Sequence, residues 1–345
     1  MRALFDLTHP AHVHLFKHAI RELAADGHAV RVTAREKDVT TQLLDAYDIE
    51  HTVLSTKGDR TYELATEWTL RALRTTRFAL DFEPDVVVSH LNPTAVQAAT
   101  VAGADSVVFN DQEASAMLAR LAAPLTAAYC TPSTYRAARG RPHRRYDGFH
   151  ELAYLHPNRF EPDADSLVEH GVDPDDHYAV LRFVSWGAHH DVNQKGLSNQ
   201  AKRRLIEMLE SSGNVYITAE RELPREFDAY RLPVPPELVH QLLYHANLYV
   251  GDSQTMATEA AVLGTPAVRS NSFAGDGDMS NFVELEQRYE LLYSTDDEGT
   301  AVSLARELLE RPDTDGEWAT RRSRLIDETV DVTAYMLDVL REVAA

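Results

Sequence analysis

The stretch from Leu248 to Arg269 constrains the fold of this chain more than any other. An apolar run, Leu248-Tyr249-Val250, ends in Gly251-Asp252-Ser253; a helix-forming segment runs from Gln254 to Leu263; Gly264-Thr265-Pro266 stops it, and Ala267-Val268-Arg269 starts a second extended run. The pattern reads strand, tight turn, short helix, strand. Ser253, Gln254 and Thr255 then fall at the first turn of the helix, where unpaired backbone N–H groups and the helix dipole favour an anion. Glu259 lies on the second turn. A carboxylate there can accept two hydrogen bonds from vicinal hydroxyls, such as those of a ribose. Phosphate at the turn and a diol on the glutamate together describe a nucleotide-sugar site.

The rest of the chain repeats this alternation. In the first half, strands are expected at 2–7, 29–33, 51–54, 85–89, 105–109 and 127–130, and helices at 13–26, 38–47, 61–80, 94–102 and 113–122. In the second half, strands are expected at 178–182, 214–218, 247–250 and 266–269, and helices at 198–211, 236–245, 254–263, 280–288 and 300–309. Runs such as Asp85-Val86-Val87-Val88 are apolar on both faces, as in a buried parallel sheet. The expectation is an α/β chain of two Rossmann-like, doubly wound domains facing a cleft, with ligands at the carboxyl ends of the strands. Boundaries are expected near 1–150 for the first domain and 151–318 for the second, with 319–345 forming a terminal helix that packs back across the hinge.

Composition narrows the function. The chain of 345 residues carries a net charge of −20 and only five lysines, Lys17, Lys37, Lys57, Lys195 and Lys202. Many acids with few lysines suit a salt-adapted protein, and a halophilic archaeal source is expected; nucleic-acid binding is not. One cysteine, Cys130, excludes a disulfide framework and a cysteine-rich metal site. No apolar run approaches the length of a membrane span, and the chain opens directly into an expected strand, so no signal peptide and a cytoplasmic location are expected. The charge is unevenly divided: residues 1–148 hold 18 acidic and 17 basic side chains, the remainder 36 and 17. Arg71, Arg74 and Arg77, beside Trp68 and Phe78, and the group Arg136, Arg139, Arg141, Arg144 and Arg145 cause the difference. They read either as solvated faces with local ion pairs or as a surface for an anionic acceptor or peripheral membrane contact.

The stretch around Ser253 resembles the donor site of GT-B glycosyltransferases and of UDP-N-acetylglucosamine 2-epimerases, whose pattern is roughly D-S-G-G-x-x-E-E-A-x-x-L-G-x-P. Asp252, Ser253, Glu259, Ala260, Leu263, Gly264 and Pro266 match it, and Gln254 and Thr255 replace the two glycines. Nearly the whole chain also resembles an archaeal and bacterial domain-of-unknown-function family of the same superfamily. The residues that carry this are Asp6-Leu7-Thr8 with His12, Asp111-Gln112-Glu113, Ala188-His189-His190-Asp191, and Gly251-Asp252-Ser253 with Thr255-Met256 and Glu259-Ala260. The resemblance implies a UDP-sugar as co-substrate, with no other cofactor.

Several residues are candidates on these grounds. Arg182 ends a strand and can bind a diphosphate bidentately, or form an ion pair. With Ser253, Gln254, Thr255, Met256 and Glu259 it makes up the expected donor site; Met256 also suits the core. His189 and His190 read as acid/base groups and Asp191 as a sugar contact; adjacent histidines point apart, so no metal is expected there. His12 is a candidate base just past the first strand, with His9 beside it for substrate. Glu113 falls where the epimerases carry a catalytic glutamate, and Asp111 and Asn92 are candidate sugar contacts. Asn92 stands where the epimerases have a catalytic aspartate and cannot carry a proton. The combined reading is a metal-independent glycosyltransferase acting from a UDP-sugar on a hydroxyl acceptor, the alternatives being a 2-epimerase-like enzyme, a metal-dependent hydrolase or a nucleotide-sugar binding protein. A lipid-linked or polymer-bound sugar is the expected acceptor.

Overall fold

The computed structural model describes residues 1–58, 61–138, 140, 142–184, 197–219, 224–272, 274–275, 277–312 and 314–345, with the side chains of 61–65 and 315 left aside. The chain divides into two compact units, Met1–Arg159 with Thr329–Ala345, and Phe160–Glu328.

The first unit is built on β1 (Arg2–Leu7), β2 (Ala29–Glu36), β3 (Thr52–Thr56), β4 (Val86–His90), β5 (Asp105–Phe109), β6 (Ala128–Pro132) and β7 (His143–Tyr146). Between them run α1 (Pro10–Ala25), α2 (Thr40–Ala46), α3 (Thr61–Phe82), α4 (Pro93–Ala102) and α5 (Ala116–Ala122), with α6 (Leu152–Leu155) after β7. Every pairing is parallel, in the order β3-β2-β1-β4-β5-β6-β7. Pro10 and Pro93 start their helices, where a missing N–H costs no helical hydrogen bond. The central strands are buried on both faces, as their apolar runs require: Phe5, Val87, Val88 and Val107 have no exposed surface.

The second unit contains α7 (Ala164–Val168), β8 (Tyr178–Phe183), α8 (Asn199–Glu210), β9 (Asn214–Ala219), α9 (Val239–His245), β10 (Leu248–Gly251), α10 (Gln254–Leu263), β11 (Ala267–Ser270), α11 (Ser280–Gln287), β12 (Leu292–Thr295), α12 (Glu298–Glu310) and α13 (Thr314–Glu328). Its sheet is also parallel, in the order β12-β11-β10-β8-β9. Gly264 closes α10 with φ +87, and a Cβ there would lie 2.8 Å from Arg322 Cδ, so glycine serves both the cap and the packing of α13.

The terminal pattern is two helices, α13 and α14 (Val332–Val343), and they belong to different units. The divisions fall after Arg159 and after Glu328, against expected boundaries at 150 and 318. The physical reason is visible at α6, which packs with α1 and α14. Thr333 Oγ1 donates to Ala153 O at 2.7 Å, Arg159 bonds Asp331 and Glu22, and Arg144 makes a paired contact with Glu342 at 2.6 and 2.9 Å.

In both sheets the strand order reverses once: between β1 and β4 in the first unit, and between β8 and β10 in the second. The loops beyond the strand ends diverge at such a point and leave a crevice for ligands. The described candidate residues lie beyond strand ends at or next to these two places.

Candidate functional site

In the second unit β10 ends at Gly251, which pairs in register with Arg182 of β8 on one side and Arg269 of β11 on the other. A Cβ on Gly251 would fall 2.5 Å from Tyr249 Oη and 2.7 Å from the Arg182 carbonyl oxygen, so the close approach of these groups requires glycine. The buried Asp252 accepts a hydrogen bond from Val184 N at 2.6 Å, tying the end of β8 to the turn. Ser253 caps α10, its Oγ accepting from Met256 N at 3.3 Å. Gln254, Thr255 and Met256 are partly exposed on the first turn. That turn carries the N–H groups with no helical carbonyl to reach and the positive end of the helix dipole.

Two cations stand at the end of β8. Arg182 is partly buried and donates from Nη1 to Thr218 Oγ1 at 2.8 Å. Lys202 on α8 lies 4.7 Å from the centroid of the Phe183 ring. Burial lowers its pKa, with Asp252 and Glu298 opposing the shift. Glu259 is buried, with Oε1 2.9 Å from His240 Nε2. It is an anchored carboxylate, not an open one. Arg269 is also buried, ion-paired with Asp278 and stacked 3.6 Å from the Phe282 ring centroid. Sequence patterning did not mark His240, Lys202 or Asp278; the rarity of lysine was the one available signal for Lys202.

In the first unit, the buried Asp6 at the end of β1 binds three elements together: it accepts from Thr33 Oγ1 at 2.7 Å, from Arg71 Nη2 and from Asn92 Nδ2. Asn92 caps α4, its Oδ1 accepting from Thr94 N at 3.1 Å and from Thr94 Oγ1 at 2.9 Å. Its side chain is engaged at both ends with protein groups. Arg71 corrects the expectation of an arginine face. It is buried, and besides Asp6 it bonds the Ala34 carbonyl at 3.0 Å. A buried guanidinium needs a charge partner and acceptors, and the ends of β1 and β2 supply them. Arg77, by contrast, is open to solvent beside Asp81. The second arginine group is also drawn into structure: Arg144 meets Glu342, Arg145 donates to Ser133 O and Arg136 N donates to Glu113; Arg139 and Arg141 lie outside the described residues.

Two histidines of this unit that the sequence did not single out, His90 and His150, meet around the carboxylate of Asp111. Asp111 has Oδ1 3.2 Å from His90 Nε2 and Oδ2 3.4 Å from His150 Nδ1. Burial opposes its charge, but His150 and His90 outweigh burial and hold its pKa well below the usual range. His12 stacks on His90 with centroids 4.6 Å apart, and its Nδ1 accepts from Thr8 N at 3.3 Å. Burial, then His90, His9 and Lys37, hold its pKa well below 6.5. The neutral ring therefore carries its proton on Nε2, which suits a hydrogen-bond donor rather than the base expected from the sequence. His9 caps α1 through Nδ1 to Ala11 N at 3.2 Å, and burial, then Lys37, push its pKa down to about 3. Glu113 sits on a short 3₁₀ turn with Oε1 accepting from Arg136 N at 2.7 Å. His90 and His150 both went unmarked in the sequence. His189, His190 and Asp191 lie outside the described residues. Cys130 is buried on β6, and burial pushes its thiol up to about 12, so it is inert as a nucleophile.

Two parallel sheets flanked by helices, each with its loops at a point of strand-order reversal, define an α/β protein of the GT-B kind. The fold is shared with the spinosyn forosaminyltransferase SpnP (18% identity, TM-score 0.65, 100% of both chains). It is shared with the glycosyltransferase VinC solved with dTDP (12%, 0.63, 100% of this chain and 99% of that one). A Listeria monocytogenes protein assigned as a UDP-N-acetylglucosamine 2-epimerase is also similar (14%, 0.63, 92% and 90%). No curated protein sequence matches the chain. The chain belongs to the family described as protein of unknown function DUF354, which matches residues 1–310.

Proposed function

We propose that the protein is a glycosyltransferase that takes its sugar from a nucleoside-diphosphate sugar, with UDP as the nucleotide. The observation that carries this reading is the α10 turn at the β8/β10 reversal, where Ser253 to Met256 present a helix N-terminus beside Arg182 and Lys202. Donors and cations fixed there would bind the diphosphate and stabilise the negative charge that develops as it leaves. An acceptor hydroxyl oxygen bonds to the anomeric carbon, the bond from that carbon to the diphosphate oxygen breaks, and the hydroxyl proton goes to a protein base. Of the two candidate bases in the first unit, Glu113 suits the role better, because His12 already uses its Nδ1 lone pair toward Thr8 N. Glu259 would take the ribose hydroxyls, held for it by His240. The solved relatives with bound thymidine diphosphate, VinC and SsfS6, support the nucleotide class.

The acceptor side of the reading is a lipid-linked or polymer-bound sugar, approached by peripheral contact with a membrane. No helix among the described residues is long and apolar enough to cross one. Support for contact comes from α3, where Leu70, Leu73 and Leu80 are exposed with Arg77 among them.

A thermal-shift series with nucleoside diphosphates and nucleotide sugars in high salt tests the reading, followed by product analysis with and without acceptor. Binding to the folded state raises apparent stability by mass action. Stabilisation by UDP or a UDP-sugar, weakened in Arg182→Ala, is the expected result. No stabilisation by any of them would remove the donor assignment, and turnover of the sugar without acceptor would move the reading to an epimerase.

A further inference from the structure

We propose that His90, Asp111 and His150 form a binding site for one divalent transition-metal ion of the Zn²⁺ type. The three residues come from different parts of the first unit: His90 closes β4, Asp111 follows β5, and His150 precedes α6. Their donor atoms nevertheless converge, all within 4.8 Å of one another. His90 Nε2 and His150 Nδ1 lie 3.2 and 3.4 Å from the two carboxylate oxygens of Asp111. Ligands about 2.0–2.2 Å from a tetrahedral Zn²⁺ are about 3.3–3.6 Å from each other. The His150 separation is longer than an ordinary N–H···O hydrogen bond, for which about 2.7–3.2 Å is usual. The spacing therefore suits groups arranged around a shared ion as well as groups bonded directly.

The surroundings hold the ligand rings in place. His12 stacks on His90 at 24° between ring planes, and Tyr146 stacks on His150 at 19°. His150 is buried, while His90 and Asp111 keep partial exposure, so the ion would have one open side. Two imidazoles and one carboxylate select Zn²⁺, Co²⁺ or Fe²⁺ over the oxygen-seeking Ca²⁺ and Mg²⁺. Three protein ligands leave a coordination position for water or a substrate oxygen, which is the arrangement of catalytic rather than structural zinc sites. The site lies beyond the strand ends of β4 and β5, where a parallel sheet presents its ligands. This departs from the expectation of a metal-free protein, which rested on the single Cys130 and on the adjacent histidines His189 and His190. It stands on the first unit alone and does not depend on the donor reading.

The experiment is metal binding by the full chain. Protein stripped with a chelator is titrated with Co²⁺ and followed by visible absorption, and Zn²⁺ stoichiometry is measured by elemental analysis after dialysis. One ion per chain is expected, with the absorption of a low-coordinate Co²⁺. Asp111→Asn and His90→Gln should each weaken binding by about 100-fold or more, with circular dichroism showing that the fold persists. A His189→Ala, His190→Ala double variant should keep the ion, with unchanged affinity. Absence of stoichiometric binding in the wild type would overturn the proposal. So would an ion retained by Asp111→Asn and lost by the double variant, which would place it in the 189–191 loop. Should His90→Gln prove unfolded, Asp111→Asn alone decides, since it preserves the size of the side chain.

Discussion

The guanidinium of Arg71 is buried against the carboxylate of Asp6, and the pair joins α3 to the end of β1. Removing one member of a buried pair leaves the other charge uncompensated, at a cost of about 3–5 kcal/mol. Arg71→Ser should therefore lower the denaturant midpoint strongly, whereas Arg77→Ser, at an exposed i,i+4 pair with Asp81, should change stability by less than about 0.5 kcal/mol. Equal midpoints for the two variants would show that the Asp6–Arg71 contact has no structural weight.

Glu259 offers a second test, because its buried oxygen already meets His240. If the carboxylate also binds ribose, Glu259→Ala should weaken UDP binding by about 1–3 kcal/mol, the range for losing hydrogen bonds to a charged group. His240→Gln, which can still donate to the carboxylate, should bind UDP nearly as well as the wild type. Calorimetry separates the cases: an equal loss in both variants would make Glu259 a structural anchor of α9 and α10 only.

These two pairs show which part of the molecule was legible in the sequence. The apolar runs and turn residues located most of the strands and helices, and α10 falls on residues 254–263 as its pattern indicated. Two edge strands escaped. β7 is His143-Arg144-Arg145-Tyr146, polar enough to read as a basic loop, and β12 is a four-residue strand without a long apolar run. Arg71, Arg74 and Arg77 looked like one face, but three-residue steps turn about 300° around a helix, so successive arginines drift by about 60°. Arg71 ends up inside and Arg77 outside. The His90–Asp111–His150 cluster was illegible for a different reason. Its members are far apart in sequence, share no motif, and meet only because β4, β5 and the segment before α6 end at one place.

Acid should weaken the first unit through His18. Burial, then Lys17, Arg159 and Arg21, push its pKa down to about 4 from 6.5, with Asp331 opposing. Its Nε2 has no hydrogen-bond partner among the described residues. Between these two values the unfolded chain takes up a proton that the folded chain does not. Stability is thus undiminished above about pH 6.5 and falls as the pH drops toward 4. His18→Gln cannot take up that proton, so its melting temperature should decline less than that of the wild type between about pH 7 and pH 4.5. Parallel declines at fixed salt would acquit His18 and point to other groups.

The exposed side of α3 gives the last prediction. Leu70 is 50% exposed, Leu73 65% and Leu80 49%, and Arg77 projects among them. At about 100° per residue these four positions fall within an arc of about 80°. Trp68, 52% exposed, stands apart from that arc at the start of the described side chains. An apolar strip with a basic residue suits the interfacial region of an anionic bilayer. Each basic residue near such a surface contributes up to roughly 1 kcal/mol, less when salt screens it. The leucines must supply most of the affinity, at about 1.5–3 kcal/mol for each side chain fully buried. Flotation with anionic liposomes should recover the wild type at moderate salt. A Leu70→Ser, Leu73→Ser double variant should float poorly at every salt concentration, and Arg77→Ser should differ from wild type only at low salt. Arg71 is unsuitable as a probe, because its replacement breaks the core contact with Asp6. If the wild type stays in the dense fraction at moderate and low salt alike, the strip on α3 is not a membrane surface, and the acceptor must be sought among soluble sugars.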